Sequence, residues 1–372
     1  MLAIVFAHVV FFGNRFTLML QAVALGASPL EIGLVLGVLM LGPMLLCVQF
    51  GRWSDRMGYT RLCALGIAMC LSACLLAAAV GAMPALYAAS ALTGTGYMLV
   101  YVAGLNAIGK LTADQDVTRA LSVLTMALSV SALVGPLMAG FFIDLGAHAW
   151  AYLGLSAFAV ASALQLAWAA RRYRMQGAPT VAGASGGVRD LLKVPAMRAV
   201  FIMAALLSMG WDTFGFLAPL HAVASGHSAT ATGVIVGAFA AGSFAVRLCL
   251  PAMSRRLGEW RLISVALLVT GVAFIAFPLL HDFRALVCIA FLLGMSLGCS
   301  QPLSMSLIHR AAPAGRAGEA GGLRAAMVPL SQTTLPVMFG GLGSAVGLPA
   351  VFWCASLLLL AGSVRAMRDS SA

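Results

Sequence analysis

Between two apolar stretches the chain reads Gly51-Arg52-Trp53-Ser54-Asp55-Arg56-Met57-Gly58-Tyr59-Thr60-Arg61, and 200 residues later it reads Pro251-Ala252-Met253-Ser254-Arg255-Arg256-Leu257-Gly258-Glu259-Trp260-Arg261. Ser54, Arg56, Gly58 and Arg61 recur as Ser254, Arg256, Gly258 and Arg261. The same offset holds outward in both directions. Gly26, Ser28, Gly33, Gly37 and Gly42 meet Gly226, Ser228, Gly233, Gly237 and Gly242; Gly94 meets Gly294; Pro136 and Gly140 meet Pro336 and Gly340. Glycine matches are cheap in a chain with 40 glycines, but one constant offset over so many elements is not, and it marks a duplication.

What is duplicated is membrane-embedded. The 372 residues are 62% hydrophobic and 9% charged, more apolar surface than a soluble globule can hide, so lipid must cover much of it. Stretches long enough to cross about 30 Å of hydrocarbon lie near 2–23, 29–50, 62–81, 84–108, 120–143, 147–170, 197–220, 229–250, 262–280, 284–308, 323–343 and 349–367. The first begins at once, without the basic lead or the small-residue cleavage site of a secretory signal, and reads as a span.

Charged connections (51–61, 109–119, 171–196, 251–261, 309–322, 368–372) alternate with short Gly, Ala, Ser, His or Pro turns. Of the 22 Lys and Arg residues, all but Arg15, Arg247 and Arg284 fall in that charged set or just inside the adjoining helix ends. The positive-inside rule therefore makes the charged side, with both termini, cytoplasmic, in a plasma (inner) membrane. It also explains the net charge of +11 without nucleic acid. The expected architecture is an all-α polytopic membrane protein of twelve helices in two pseudo-symmetric six-helix bundles, 1–170 and 197–372, joined by a cytoplasmic linker, 171–196, rich in Gly, Ala and Ser. The eight cysteines, Cys47 among them, sit in apolar runs without CxxC pairs, as small core residues; no metal and no cofactor is expected.

The loop from Gly51 to Arg61 resembles the GxxxDRxGRR signature of major facilitator transporters, with the second basic position displaced to Arg61. Gly135-Pro136 followed by Gly140 is similar to the family's Gly-Pro pattern in the fifth helix, common in its exporters; simple small-residue packing is the other reading. The resemblance implies twelve helices moving against each other in two halves, with Gly51, Asp55, Arg56, Gly58 and Arg61 as a gating loop. In it Asp55 helps latch the cytoplasmic side, while the second copy, with Arg255 at that place, is mainly topological. Gly135, Pro136 and Gly140 would form a bendable packing surface. Many proton-coupled antiporters of the family carry an arginine four residues before the Gly-x-Gly of the fourth helix; here Ser90 precedes Gly94-Thr95-Gly96 at that spacing.

A charge at mid-bilayer costs about 2.5–3.5 kcal/mol on the lenient insertion scale, so ionisable residues deep in spans are functional candidates. Arg15 in the first span and Asp212 in the seventh lie at similar depth, and Asp212 is the one acid deep inside any span. The family resemblance sets the first and seventh helices face to face across a central cavity, where Arg15 and Asp212 would meet directly or through substrate. A fixed salt bridge, substrate binding and proton coupling are all open to such a pair. Asn14, Trp211, Tyr97, Tyr101, Gln301 and Gln332 are the further candidates for substrate contact. Arg247 reads as a residue snorkelling to the interface or lining the inner cavity, and His8 as a packing residue.

The function expected is secondary active transport, proton-driven efflux of a small organic molecule by alternating access; the alternative is proton-coupled uptake of an organic anion or sugar-like metabolite. Expected partners are a small-molecule substrate, protons and membrane lipid, with no nucleic acid and a monomeric chain. A membrane-embedded enzyme would need an Asp-rich metal site or a His-Asp nucleophile system, and Asp114-Gln115-Asp116 has no partner for either.

Overall fold

The computed structural model describes residues 1–111, 114–172, 193–313 and 316–371. These described residues form helices joined by short turns. The first half comprises α1 (Leu2–Ala24), α2 (Pro29–Met57), α3 (Tyr59–Ala79), α4 (Met83–Leu111), α5 (Asp114–Leu145) and α6 (His148–Arg172). The second comprises α7 (Pro195–Ala224), α8 (Ala229–Leu257), α9 (Glu259–Ala276) with a closing 3-10 turn, α10 (Phe283–Gly298), α11 (Ser300–Ala311), α12 (Ala317–Val346) and α13 (Leu348–Ser371). Residues 173–192 of the expected linker lie outside the described residues, as do the side chains of Asp55, Cys47 and Asp114.

Eleven of the expected spans are long and apolar enough to cross a bilayer, counting α10 and α11 as one. The exception is α12. It is 30 residues long, but Ser331-Gln332-Thr333-Thr334 interrupts its apolar run, because this helix faces the other half and the interior rather than lipid along much of its length. The tenth span is broken where the sequence reading drew one helix. Pro302 has no N–H to give the carbonyl four residues back, so the Gly298 carbonyl is released and the helix restarts at Ser300.

The duplication is visible in backbone detail. Gly26 and Gly226 adopt φ of 75° and 82°, and Gly58 and Gly258 both adopt 78°, the left-handed region that favours glycine. Gly58 N–H donates to the Ser54 carbonyl and its own carbonyl accepts from Leu62; Gly258 does the same with Ser254 and Leu262. Ser28 and Ser228 cap α2 and α8, each hydroxyl accepting from the N–H three residues on. The signature loops are thus tight hairpins whose glycines are required by the turn.

Within each half the helices pack around a central one. In α1, 72% of the span is buried, against 22% for α6, which offers residues such as Leu164 and Trp168 outward. Between halves, α2 packs along α12 and α5 along α8. These two seams depend on absent side chains. A Cβ on Gly33 would lie 2.2 Å from the Pro336 carbonyl oxygen, and one on Gly340 would lie 2.4 Å from that of Pro29. In the related seam, Gly233 faces Pro136 O at 2.6 Å and Gly140 faces Ala229 O at 2.4 Å. Both seams close the molecule at the end opposite the signature loops.

Candidate substrate cavity

Inside the closed seams lies a cavity of about 260 Å³ between the halves. Its wall in the first half is built by α1 (His8, Phe12, Arg15, Phe16, Met19), α4 (Tyr97, Tyr101) and α5 (Thr125, Leu128, Ser129, Pro136). The second half contributes Trp211, Phe214 and Gly215 from α7, Phe239, Ser243 and Arg247 from α8, and Gln301 from α11.

Aromatic packing holds both walls. Tyr97 stacks on Phe11 with centroids 4.6 Å apart and is followed by Tyr101 at 5.8 Å. Across the cavity Phe214 stacks on Phe239 at 4.1 Å, with Trp211 edge-on to Phe239 at 4.7 Å. Offset and edge-to-face pairs of this kind add roughly 0.5–1.5 kcal/mol each beyond area burial, so these walls are preformed. His8 belongs to the cavity wall and is more than packing: its Nδ1 lies 2.6 Å from Ser131 Oγ, joining α1 to α5.

Arg15 spans the gap between the central helices. Its guanidinium rests against Gly215, where a Cβ would come within 3.1 Å of Nη2. Position 215 is the repeat partner of position 15, so glycine makes room for the side chain that the other half supplies. Arg15 makes no hydrogen bond or ion pair among the described residues, and it lines the cavity. Asp212 is close enough to feel its charge but forms no ion pair with it. The acid is 2% exposed and lies behind the wall, accepting a hydrogen bond from Ser331 of α12, with Gln332 of the same helix nearby. The two residues therefore occupy the facing helices α1 and α7 without joining to each other.

Arg247 does not snorkel. Its Nη1 donates to Ser129 Oγ at 2.8 Å and to the Thr125 carbonyl at 3.5 Å, and Nε to the Gly298 carbonyl at 3.4 Å, the acceptor that Pro302 releases. All three acceptors are uncharged, so the positive charge is positioned without being cancelled.

The remaining expected residues divide. Trp211, Tyr97, Tyr101 and Gln301 line the cavity, and Gln332 reaches Asp212. Asn14 turns the other way: 1% exposed, it donates to Thr93 Oγ1 at 3.1 Å and contacts Cys74 Sγ at 3.3 Å inside the first bundle. Ser90, at the place of the antiporter arginine, donates to the Val35 carbonyl at 2.5 Å and fastens α4 to α2. Gly135 packs against the α1 backbone, where a Cβ would lie 2.8 Å from Val9 O, while Pro136 and Gly140 form the α5/α8 seam. A Cβ on Gly51 would meet no described neighbour within 4 Å, and Arg56 and Arg61 are exposed at the basic end. Among the described residues no group of His, Cys, Asp and Glu is placed to hold a metal ion.

Ser331, the partner of Asp212, stands with Gln332 in the polar run of α12 and reads from the sequence as a residue offering hydrogen bonds to a cavity. Sequence reasoning missed Ser129, the partner of Arg247, for which the sequence holds no signal: its repeat position is Pro329.

Two helical bundles related by a 200-residue repeat, meeting at two glycine seams around a central polar-aromatic cavity, define a transporter of the two-bundle membrane class. The sequence profile of the Major Facilitator Superfamily matches residues 1–328, and the chain belongs to that family. An uncharacterised major facilitator-type transporter of Bacillus subtilis (strain 168), YuxJ, is 23% identical over 347 residues, covering 89% of this chain and 86% of that protein. Among solved structures, the nucleoside transporter NupG superposes with a TM-score of 0.80 at 14% identity, over 99% of this chain and 98% of that one. A POT family transporter in complex with a thioalcohol-conjugated peptide gives 0.78 at 12% identity, over 100% and 95%. At such identities the likeness is one of fold.

Proposed function

We propose that this chain is a secondary active transporter that moves a small organic molecule by alternating access, with proton movement supplying the drive and Asp212 carrying the proton. The observation that carries this reading is the placement of Asp212. Among the described residues it is the one deeply buried acid, and its hydrogen bond runs from α7 to α12, the helix that forms a seam with the other half. An ionised carboxylate accepts from Ser331 and can accept from Gln332 beside it, whereas a protonated one loses acceptor capacity and gains a donor. Proton occupancy thus changes the hold of the second bundle on its own seam helix. Seam glycines of both halves support a rocking motion of preformed bundles, since backbone-to-backbone contacts separate without untangling side chains.

Export is the direction that the Gly135-Pro136 pattern favours. Uptake of an organic anion with protons is the second reading, favoured by a cavity lined by Arg15 and Arg247 and by no carboxylate among the described residues. The same proposal places the chain in the inner membrane as a monomer with both termini in the cytoplasm, in contact with lipid and without nucleic acid. Everted membrane vesicles with an imposed pH gradient, tested against a panel of drugs, sugars, siderophores and organic acids, decide between the directions. Proton release from acidified vesicles on adding a panel member is expected for export; release only from vesicles preloaded with that compound supports uptake; no response to any compound contradicts coupling.

A further inference from the structure

The cavity's charge is lopsided, and that narrows its ligand. We infer that the ligand is a small aromatic monocarboxylate whose anionic group is received by Arg15; this rests on the reading of the cavity as the transport site.

Arg15 presents a planar fork of N–H donors with no acceptor among the described residues, in a cavity whose surroundings are Phe12, Phe16, Trp211 and Phe214. A cation in such a place is costly unless a counter-charge arrives. The nearest internal candidate, Asp212, is turned to Ser331 and sealed behind the wall. Arg247 adds a second positive charge to the same cavity, and its partners, Ser129, Thr125 and Gly298, are all neutral. A cationic ligand would add a third positive charge beside these two. A neutral ligand would leave Arg15 unmatched.

A carboxylate fits the guanidinium with two parallel hydrogen bonds and removes both problems. Along the helices, Arg15 lies roughly 13 Å from the closed end of α1 and Arg247 roughly 27 Å from that of α8, so the two cations are staggered by roughly 10–15 Å. A short ligand held at Arg15 therefore does not depend on Arg247 for its head group. Its body falls against Trp211 and Phe214, which precede Gly215 in α7 and line the cavity. The volume, about 260 Å³, lies below the range of roughly 300–1,000 Å³ typical of drug-sized sites, which limits the body to one small ring system.

The test uses three probes of one shape: indole-3-acetate, its neutral amide indole-3-acetamide, and the cation tryptamine, with benzoate and phenylacetate as smaller carboxylates. Binding to the purified wild-type protein is measured by thermal stabilisation and by quenching of tryptophan fluorescence with the two benzene carboxylates, at fixed pH and without a gradient. At least one carboxylate is expected to stabilise the wild type, with the amide about tenfold weaker or worse and tryptamine without effect. Arg15→Gln should weaken carboxylate binding about tenfold, and Arg15→Lys should retain part of it. The inference is overturned if no carboxylate binds, if tryptamine binds as well as the carboxylates, or if Arg15→Gln binds them unchanged. The charge series on the wild type stands even if the variants fail to fold. Because no gradient is used, failure here leaves coupling through Asp212 untouched, and failure of coupling leaves this binding intact.

Discussion

The two seams between the bundles are copies of one another in backbone and differ in what ties them. In both, a glycine meets a proline carbonyl from the opposite half: Gly33 against Pro336, Gly233 against Pro136. At the closed end of α5, the Asp144 carboxylate accepts from Ala229 N–H at 3.1 Å and Thr230 N–H at 2.8 Å, capping α8 from across the interface. Its repeat partner in α12 is Ser344, whose hydroxyl accepts only from Leu30 N–H, at 3.2 Å. The reason lies in the helix starts. The first turn of α2 carries Glu31 and closes its own capping box with Ser28, whereas α8 has no acid in its first turn and takes one from α5.

The asymmetry continues inward. Arg247 fastens α8 to α5 again through Ser129 and Thr125. Instead α12 is fastened to α7, within its own bundle, by Asp212. One seam is tied across the halves by charged groups; the other is tied across them by the Ser344 hydroxyl and connects to an acid that can be protonated. On the proposed mechanism the α5/α8 seam would serve as the firmer pivot and the α2/α12 seam as the responsive one.

The largest effect should come from breaking what the seams share. Gly33→Val and Gly233→Val each insert a side chain where even a Cβ lies 2.6 Å or less from a carbonyl oxygen, and each should destabilise the closed arrangement by about 1–3 kcal/mol. Thermal melting in detergent should fall comparably for both, and exchange of backbone amides at 30–37 and 230–237 should rise together; unequal responses would mean that the interlocks are not equivalent. A smaller effect separates the seams. Asp144→Asn removes a charge aimed at a helix N-terminus and should cost about 1 kcal/mol, with amide exchange rising at 229 and 230 and not at 30. The smallest is Ser344→Ala, about 0.5 kcal/mol, read at amide 30 alone. Ser344→Asp should make the second seam resemble the first, lowering exchange at that amide and slowing transport.

How much of this the sequence discloses depends on the kind of signal. The repeat, the spans and the depth of Arg15 and Asp212 are legible because period, length and hydropathy report them directly. Which face a polar residue turns to is not. Asn14 and Arg15 are neighbours at one depth, yet a rotation of about 100° sends Asn14 into the bundle and Arg15 into the cavity. Arg15 and Asp212 sit on facing helices, but depth alone does not show that Ser331 and Gln332 take up the acid. The freed carbonyl of Gly298 was readable from Pro302, four residues on; that Arg247 would find it depends on the α8/α10 packing, which no local pattern encodes.

If Asp212 couples protons to the α2/α12 seam, as proposed, Asp212→Asn is the decisive variant, since asparagine keeps the size and much of the hydrogen bonding but cannot exchange a proton. Two rates should be compared in vesicles: gradient-free exchange of a bound panel compound, and its transport driven by a pH gradient. The account predicts that exchange persists within a few-fold while the gradient no longer drives accumulation, a selective loss of about a hundredfold or more in the driven rate (at least about 2.7 kcal/mol). Accumulation that remains fully gradient-driven in the variant would contradict it.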